Sequence, residues 1–115
     1  MLAFSYRFHG HGSLRYVYKN GQAVRSRLIT VKYTSNPHRE KSRFAVVVSK
    51  KVHKSAVGRN RIRRRIYEIV RNELPRFNSA HDVAIMVFSS EVLTLPAEEL
   101  SETVRQLFEQ ADLYK

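Results

Sequence analysis

The residues with the clearest chemical potential in this sequence are the arginines and lysines between positions 50 and 71. This segment, KKVHKSAVGRNRIRRRIYEIVR, carries nine basic side chains and one acidic side chain. Guanidinium and ammonium groups bind phosphate oxygens through charge and hydrogen bonds, and arginine does so with two parallel donors. The segment therefore predicts a surface for a polyanion, and nucleic acid is the leading candidate.

The same segment has the periodicity of a helix with one buried face. Ile62, Ile66 and Val70 lie in one apolar stripe, and Pro75 ends the pattern. With that stripe turned to the core, the outward positions are Arg61, Arg64, Arg65 and Arg71, and Arg63 flanks the stripe.

The arginines from Arg59 onward crowd the predicted start of this helix, where the helix dipole disfavours cations. Phosphates bound there would accept hydrogen bonds from free backbone N–H groups as well as from the arginines. Asn60, placed in the first turn, is interpreted either as a further hydrogen-bond donor to RNA or as a simple helix cap.

The charge is distributed unevenly along the chain. The formal net charge is +11; residues 1–76 contribute +16 and residues 77–115 contribute −5. One side of the molecule is therefore expected to face a polyanion, although a merely solvated cationic surface is the simpler alternative. A DNA-binding helix-turn-helix is disfavoured because the arginine-rich helix follows a strand and a basic loop.

No pattern in the sequence predicts a catalytic site carried by the protein. There is no cysteine, half of the ten carboxylates lie in the last predicted helix and its end, and the histidines are scattered apart from the pair His9 and His11. That pair is read as part of a loose arm rather than a metal site. We expect no cofactor bound by the protein itself and no membrane span, and the lack of cysteine suits the cytoplasm.

Hydrophobic periodicity predicts a single α+β domain over residues 13–115, preceded by an N-terminal arm at residues 1–12. The predicted elements are a helix at 13–20, a half-buried strand at 28–34, a central strand at 43–49, the arginine-rich helix to 74, a strand at 82–89 and a helix from 96. The two strands at 28–34 and 43–49 are predicted to pair as a hairpin. The resulting order is α-β-β-α-β-α in an α-β sandwich, and the pattern leaves open a further short strand at 22–25.

Three motifs together resemble one known family. The letters RNRIRR at 59–64 look like the Arg-Asn-Arg signature of the bacterial ribonuclease P protein subunit, VSKKV at 48–52 resembles its strand end and Ser-Lys-Lys loop, and VYKNG at 17–21 resembles the end of its first helix. The resemblance runs over roughly residues 13 to 115. It departs at Leu14, where the family usually has phenylalanine, at Tyr67, where arginine is common, and at Arg65, a place that is often apolar.

The resemblance implies a protein that pairs with a large catalytic RNA and helps it remove the 5′ leader of precursor transfer RNA. The RNA would perform the hydrolysis with Mg²⁺, the partners would be the ribonuclease P RNA and precursor transfer RNA, and no protein partner is implied. The family fold also implies an unusual left-handed crossover between parallel strands, against the usual rule of handedness. The alternative from the residues alone is a ribosomal or other structural RNA-binding protein.

The resemblance also assigns roles to individual residues. Contacts to the catalytic RNA are expected from Lys50, Lys51, Lys54, Arg59, Asn60, Arg61, Arg63, Arg64 and Arg65. A cleft between the first helix and the sheet would hold the single-stranded leader, lined by Leu14, Tyr18 and Lys32. Tyr18 would stack on a leader base or belong to the core, and Lys32 would meet a phosphate or remain solvated.

Overall fold

The computed structural model describes residues 6–7, 11–36, 41–78 and 80–114, and within these ranges it contains three helices and four strands. Their bounds are α1 His11–Asn20, β1 Gln22–Arg25, β2 Ile29–Ser35, β3 Arg43–Val48, α2 Ala56–Glu73, β4 His81–Val87 and α3 Ala97–Gln110. Short 3-10 turns follow α2 at Leu74–Arg76 and precede α3 at Ser90–Leu93. The short strand at 22–25 that the pattern left open is therefore present.

The four strands form one sheet in the order β1-β2-β4-β3. β2 is antiparallel to both β1 and β4, whereas β3 runs parallel to β4. The α+β class is confirmed, but the predicted hairpin between β2 and β3 is wrong because β4 lies between them. Parallel neighbours cannot be joined by a tight turn, and α2 supplies the crossover that connects β3 to β4. The left-handed sense of that crossover stays a prediction.

β3 lies at the edge of the sheet and not at its centre, which corrects the interpretation of the apolar run RFAVVV. An apolar edge strand exposes unpaired backbone groups that invite pairing with other chains. Here the Val46 N–H donates to the Tyr67 hydroxyl at 3.2 Å, and Arg7 forms an isolated parallel bridge with Phe44. A side chain of α2 and the N-terminal segment thus cover part of this edge.

The core lies between one face of the sheet and the helices α2 and α3. Its fully buried members include Ile29, Val31, Phe44, Ile62, Ile66, Val70, Val83, Ile85, Leu100, Val104 and Phe108. Alternation along β2 places Lys32 on the opposite face from Val31. The Lys32 ammonium donates to the Tyr18 carbonyl at 3.3 Å, so α1 lies on that second face.

The first two helices begin earlier than the sequence pattern predicted, whereas α3 begins at Ala97, one residue later than predicted. α1 starts at His11, within the stretch assigned to the arm, and residues 1–5 and 8–10 of that arm lie outside the described residues. α2 starts at Ala56 and is capped by Ser55, so Asn60 lies in its second turn and is not its cap. Serine is among the best N-cap residues, so the helix begins after Ser55 even though the glycine at position 58 disfavours helix.

Candidate RNA-binding surface

The loop that joins β3 to α2 carries three lysines on an ordered backbone. We call residues 49–55 the lysine loop. The backbone N–H groups of Val52 and His53 both donate to the Ser49 carbonyl, at 3.1 and 3.3 Å. Lys50, Lys51 and Lys54 are all exposed. The loop therefore presents three ammonium groups directly after the end of β3.

Side chains at the start of α2 hold this loop against the helix. The terminal guanidinium nitrogen Nη1 of Arg59 donates to the carbonyl oxygens of His53 and Lys54, at 2.9 and 2.8 Å. The His53 ring packs directly over Gly58, where an added Cβ would lie 2.2 Å from its Cε1 atom. Only glycine accommodates such a close approach without a shift of the ring.

Two backbone N–H groups in the first turn of α2 already have a hydrogen-bond partner within the protein. The Ser55 hydroxyl oxygen accepts from the backbone N–H groups of Val57 and Gly58, at 3.1 and 3.3 Å. This corrects the expectation of free N–H groups for a phosphate at this helix end, since two of them already have a partner. Anion binding here would depend on the side chains.

Two arginines of α2 project into solvent as predicted. Arg61 and Arg64 are exposed, and within the described part of the chain neither side chain has a hydrogen bond or an ion pair. Being three residues apart, they lie on one side of the helix. Asn60 is also exposed, and its Oδ1 accepts from Arg63 at 2.6 Å, which leaves the Asn60 amide nitrogen turned away from Arg63.

The remaining arginines of the helix are engaged with the protein. Arg65 was predicted to face outward, yet it is half-buried and donates to the backbone carbonyls of Val92 and Leu95. The Arg71 guanidinium forms an ion pair with Glu68, and its hydrogen bond and charge lower the pKa of that exposed carboxyl. Fewer arginine side chains of α2 are therefore available to a ligand than the sequence pattern predicted.

Two of the three predicted cleft residues, Tyr18 and Lys32, meet where α1 lies on the sheet, and Leu14 lies one turn earlier on α1. Leu14, Tyr18 and Lys32 are all half-buried, whereas Val17 is fully buried. The Lys32 ammonium lies 5.6 Å from the centre of the Tyr18 ring, a cation–π geometry. Partial burial raises the pKa of the Tyr18 hydroxyl. Tyr18 thus lies at the margin of the core with part of its surface open.

The arrangement of His53, Gly58 and Arg59 was not foreseen from the sequence. Arg59 was interpreted only as an RNA contact, and His53 was counted among scattered histidines. The one available signal was Ser55 three residues before Gly58, which marks a helix start. The packing of His53 on Gly58 has no periodicity that a sequence pattern could reveal.

Two other kinds of feature are absent from the described residues. Among them, no group of three histidine, aspartate or glutamate side chains is placed to hold a metal ion. Within the same ranges, no helix has both the length and the apolar character needed to cross a membrane. The exposed cations of the lysine loop and α2 are the most distinctive chemical feature of this α+β domain, and they mark it as the class of protein that binds a polyanion such as nucleic acid.

Comparison with known proteins identifies the family. The family model for ribonuclease P matches residues 2–112. A ribonuclease P protein component of Chloroflexus aurantiacus is 34% identical over 110 residues, covering 95% of this chain and 79% of the relative. One from Prochlorococcus marinus is 38% identical over 84 residues, covering 64% of this chain and 66% of the relative. The chain therefore belongs to the ribonuclease P protein family.

A solved structure supports the fold independently. The ribonuclease P protein of Staphylococcus aureus superposes with a TM-score of 0.85 at 23% sequence identity, over 96% of this chain and 98% of that one. At this level of identity the likeness concerns the fold alone. The partner implied by the family is the RNA of ribonuclease P.

Proposed function

We propose that the lysine loop and the outer side of α2 form the contact surface for the ribonuclease P RNA. We define this basic surface by its five exposed cations, Lys50, Lys51, Lys54, Arg61 and Arg64. The observation that carries the proposal is that these five side chains are exposed and have no carboxylate partner within the described residues. Such a cluster repels itself until phosphates neutralise it.

Membership in the family gives the chain its general role, which is the processing of the 5′ end of transfer RNA by ribonuclease P. We propose that the single-stranded leader of the precursor lies in the cleft between α1 and the sheet. The partly open ring of Tyr18 offers a stacking surface for one base, and Lys32 offers a charge beside it. Stacking on an aromatic ring tolerates any base, as a leader of variable sequence requires.

We further propose that the RNA, with Mg²⁺, performs the hydrolysis. The described residues do not fit a metal centre on the protein, because they contain no cluster of three potential ligands. No step of the reaction is therefore assigned to a side chain of this protein. The sequence contains no cysteine, which is in keeping with a place of action in the reducing cytoplasm.

The deciding experiment is cleavage of a precursor transfer RNA at low Mg²⁺ by a bacterial ribonuclease P RNA, with and without the protein. We expect the protein to stimulate cleavage at the mature 5′ end. A folded protein that binds the RNA without stimulating cleavage would instead favour the structural RNA-binding alternative. The matching family model and relatives give that alternative no support.

A further inference from the structure

We propose that Arg59 is a positioning residue that holds the lysine loop in its RNA-binding shape, and that His53 and Gly58 complete this anchor. The inference rests on the proposed function, since it concerns how the basic surface is presented to RNA. It assigns to Arg59 a task within the protein that is separate from any direct contact with a phosphate.

The hydrogen bonds of Arg59 carry the first step. One nitrogen of its guanidinium serves two successive loop carbonyls, those of His53 and Lys54, at 2.9 and 2.8 Å. Arg59 is half-buried, unlike Arg61 two residues later, which is exposed. The backbone N–H of Arg59 in turn donates to the Ser55 carbonyl at 3.0 Å. The loop is thereby tied to a residue that is itself fixed in the first turn of α2.

The packing of His53 carries the second step independently. Its ring occupies the space above Gly58 where any side chain would begin, and its Nδ1 accepts from the Ser55 N–H at 3.2 Å. Together with the two bonds to the Ser49 carbonyl, these contacts order the backbone on both sides of Lys54. A loop held only to bridge two elements would not need so many contacts.

Preorganisation explains why the anchor matters for binding. Lysine side chains are flexible, and a mobile backbone beneath them would have to be ordered when RNA binds. With the anchor in place, the loop backbone is already ordered when the protein folds, and RNA binding does not have to order it. Loss of the anchor should therefore weaken RNA binding even when every positive charge is retained.

The first test uses the free protein and substitutions that conserve charge. In Arg59→Lys we expect the amides of Val52, His53 and Ser55 to exchange hydrogen for deuterium at least tenfold faster than in the wild type. The matched control is Arg61→Lys, which should leave these amides unchanged. Unchanged exchange in β4 would show that the fold is intact. Wild-type exchange of the loop in Arg59→Lys would overturn the proposal.

A second variant reaches the same anchor without touching a charged residue. Gly58→Ala places a methyl group where the His53 ring lies and should loosen the loop to a similar extent. Alanine also favours helix over glycine, so a loss of helix stability in α2 from propensity is not expected. Gly58→Ala with full loop protection and full RNA affinity would contradict the role of His53 packing.

The second test measures binding to a bacterial ribonuclease P RNA. Arg59→Lys should lower affinity about tenfold, and Lys51→Gln should cost less in that background than in the wild type, because the loop no longer presents Lys51 well. Strictly additive losses would refute a positioning role. If Lys51→Gln and Arg61→Gln do not weaken binding at all, the proposed RNA surface fails, while the exchange experiment still judges the anchor.

Discussion

The salt dependence of RNA binding tests the basic surface quantitatively. Each cation that neutralises a phosphate releases counterions, so the logarithm of affinity falls with the logarithm of salt concentration, with a slope of about −0.7 to −0.9 per contact. The surface offers five exposed cations without a partner in the described part of the chain. If all five bind phosphates, the slope should be about −3.5 to −4.5.

The perturbation is the double substitution Arg61→Ala and Arg64→Ala. Removal of two of the five contacts should flatten the slope to about −2.1 to −2.7. Between 50 and 200 mM salt, affinity should then fall about 20- to 40-fold, where the wild type loses about 130- to 500-fold. The difference is large enough for filter binding to a bacterial ribonuclease P RNA.

A matched control removes a charge far along the chain from this surface. Arg105 lies on α3 and forms an ion pair with Glu102 at 3.3 Å. Arg105→Gln should leave the slope within error of the wild type. A double variant at Arg61 and Arg64 with the wild-type slope would refute the assignment, and a change in Arg105→Gln about half as large as that of the double variant would show that net charge alone sets the slope.

Three further predictions concern single tyrosines. Tyr18→Ala should weaken binding of precursor transfer RNA to the holoenzyme by about 1 to 3 kcal/mol and leave mature transfer RNA binding unchanged, in parallel affinity measurements. Tyr67→Phe should lower the free energy of unfolding by about 1 to 3 kcal/mol in urea titrations, since the Val46 N–H loses its acceptor. Burial, helped by Glu73, raises the pKa of Tyr114, so stability should fall as the pH rises above 10, and Tyr114→Phe should lessen that fall.

Each of these predictions has a contrary result. Equal losses of affinity for precursor and mature transfer RNA would show that Tyr18 serves the core and does not contact the leader. Unchanged unfolding of Tyr67→Phe would mean that water or a relaxed backbone satisfies Val46 equally well. For Tyr114, the neutral phenol donates to Glu73 at 2.7 Å, and deprotonation would place two negative charges together. Identical alkaline unfolding of the wild type and Tyr114→Phe would show that other groups govern that transition.

Much of the fold was accessible from periodicity, because the longer helices α2 and α3 each have one strongly apolar face. Ile62, Ile66 and Val70 are fully buried as the stripe of α2 predicted, and so are Leu100, Val104 and Phe108 in α3. Strand pairing was not accessible in the same way. The apolar run of β3 resembles a central strand, yet β3 lies at the edge of the sheet, where the Tyr67 hydroxyl of α2 accepts from the Val46 N–H in a long-range contact.

The positive charge of the candidate site was predictable from the sequence, but the role of each individual arginine was not. Arginines at positions 59, 61 and 65 look alike in sequence, yet Arg59 donates to the lysine loop, Arg61 projects into solvent and Arg65 donates to carbonyls near α3. The reach of a guanidinium exceeds one helical turn, so its partner depends on which loop passes within range. The partner of each arginine is therefore set by the tertiary structure, which a sequence pattern does not contain. The contacts of all these arginines with RNA stay predictions.

The N-termini of α2 and α3, the two helices that share the core, carry side chains of opposite charge. This difference affects RNA binding. α3 begins with Glu98 and Glu99, which the positive end of the helix dipole stabilises. α2 has no acidic residue in its first turn and gathers cations around it, while Ser55 takes up two of its N–H groups. The start of α2 is thus electrostatically unfavourable in the free protein. Phosphates bound to Arg61 and the lysine loop would remove that repulsion, so RNA binding should stabilise this helix more than the rest of the fold.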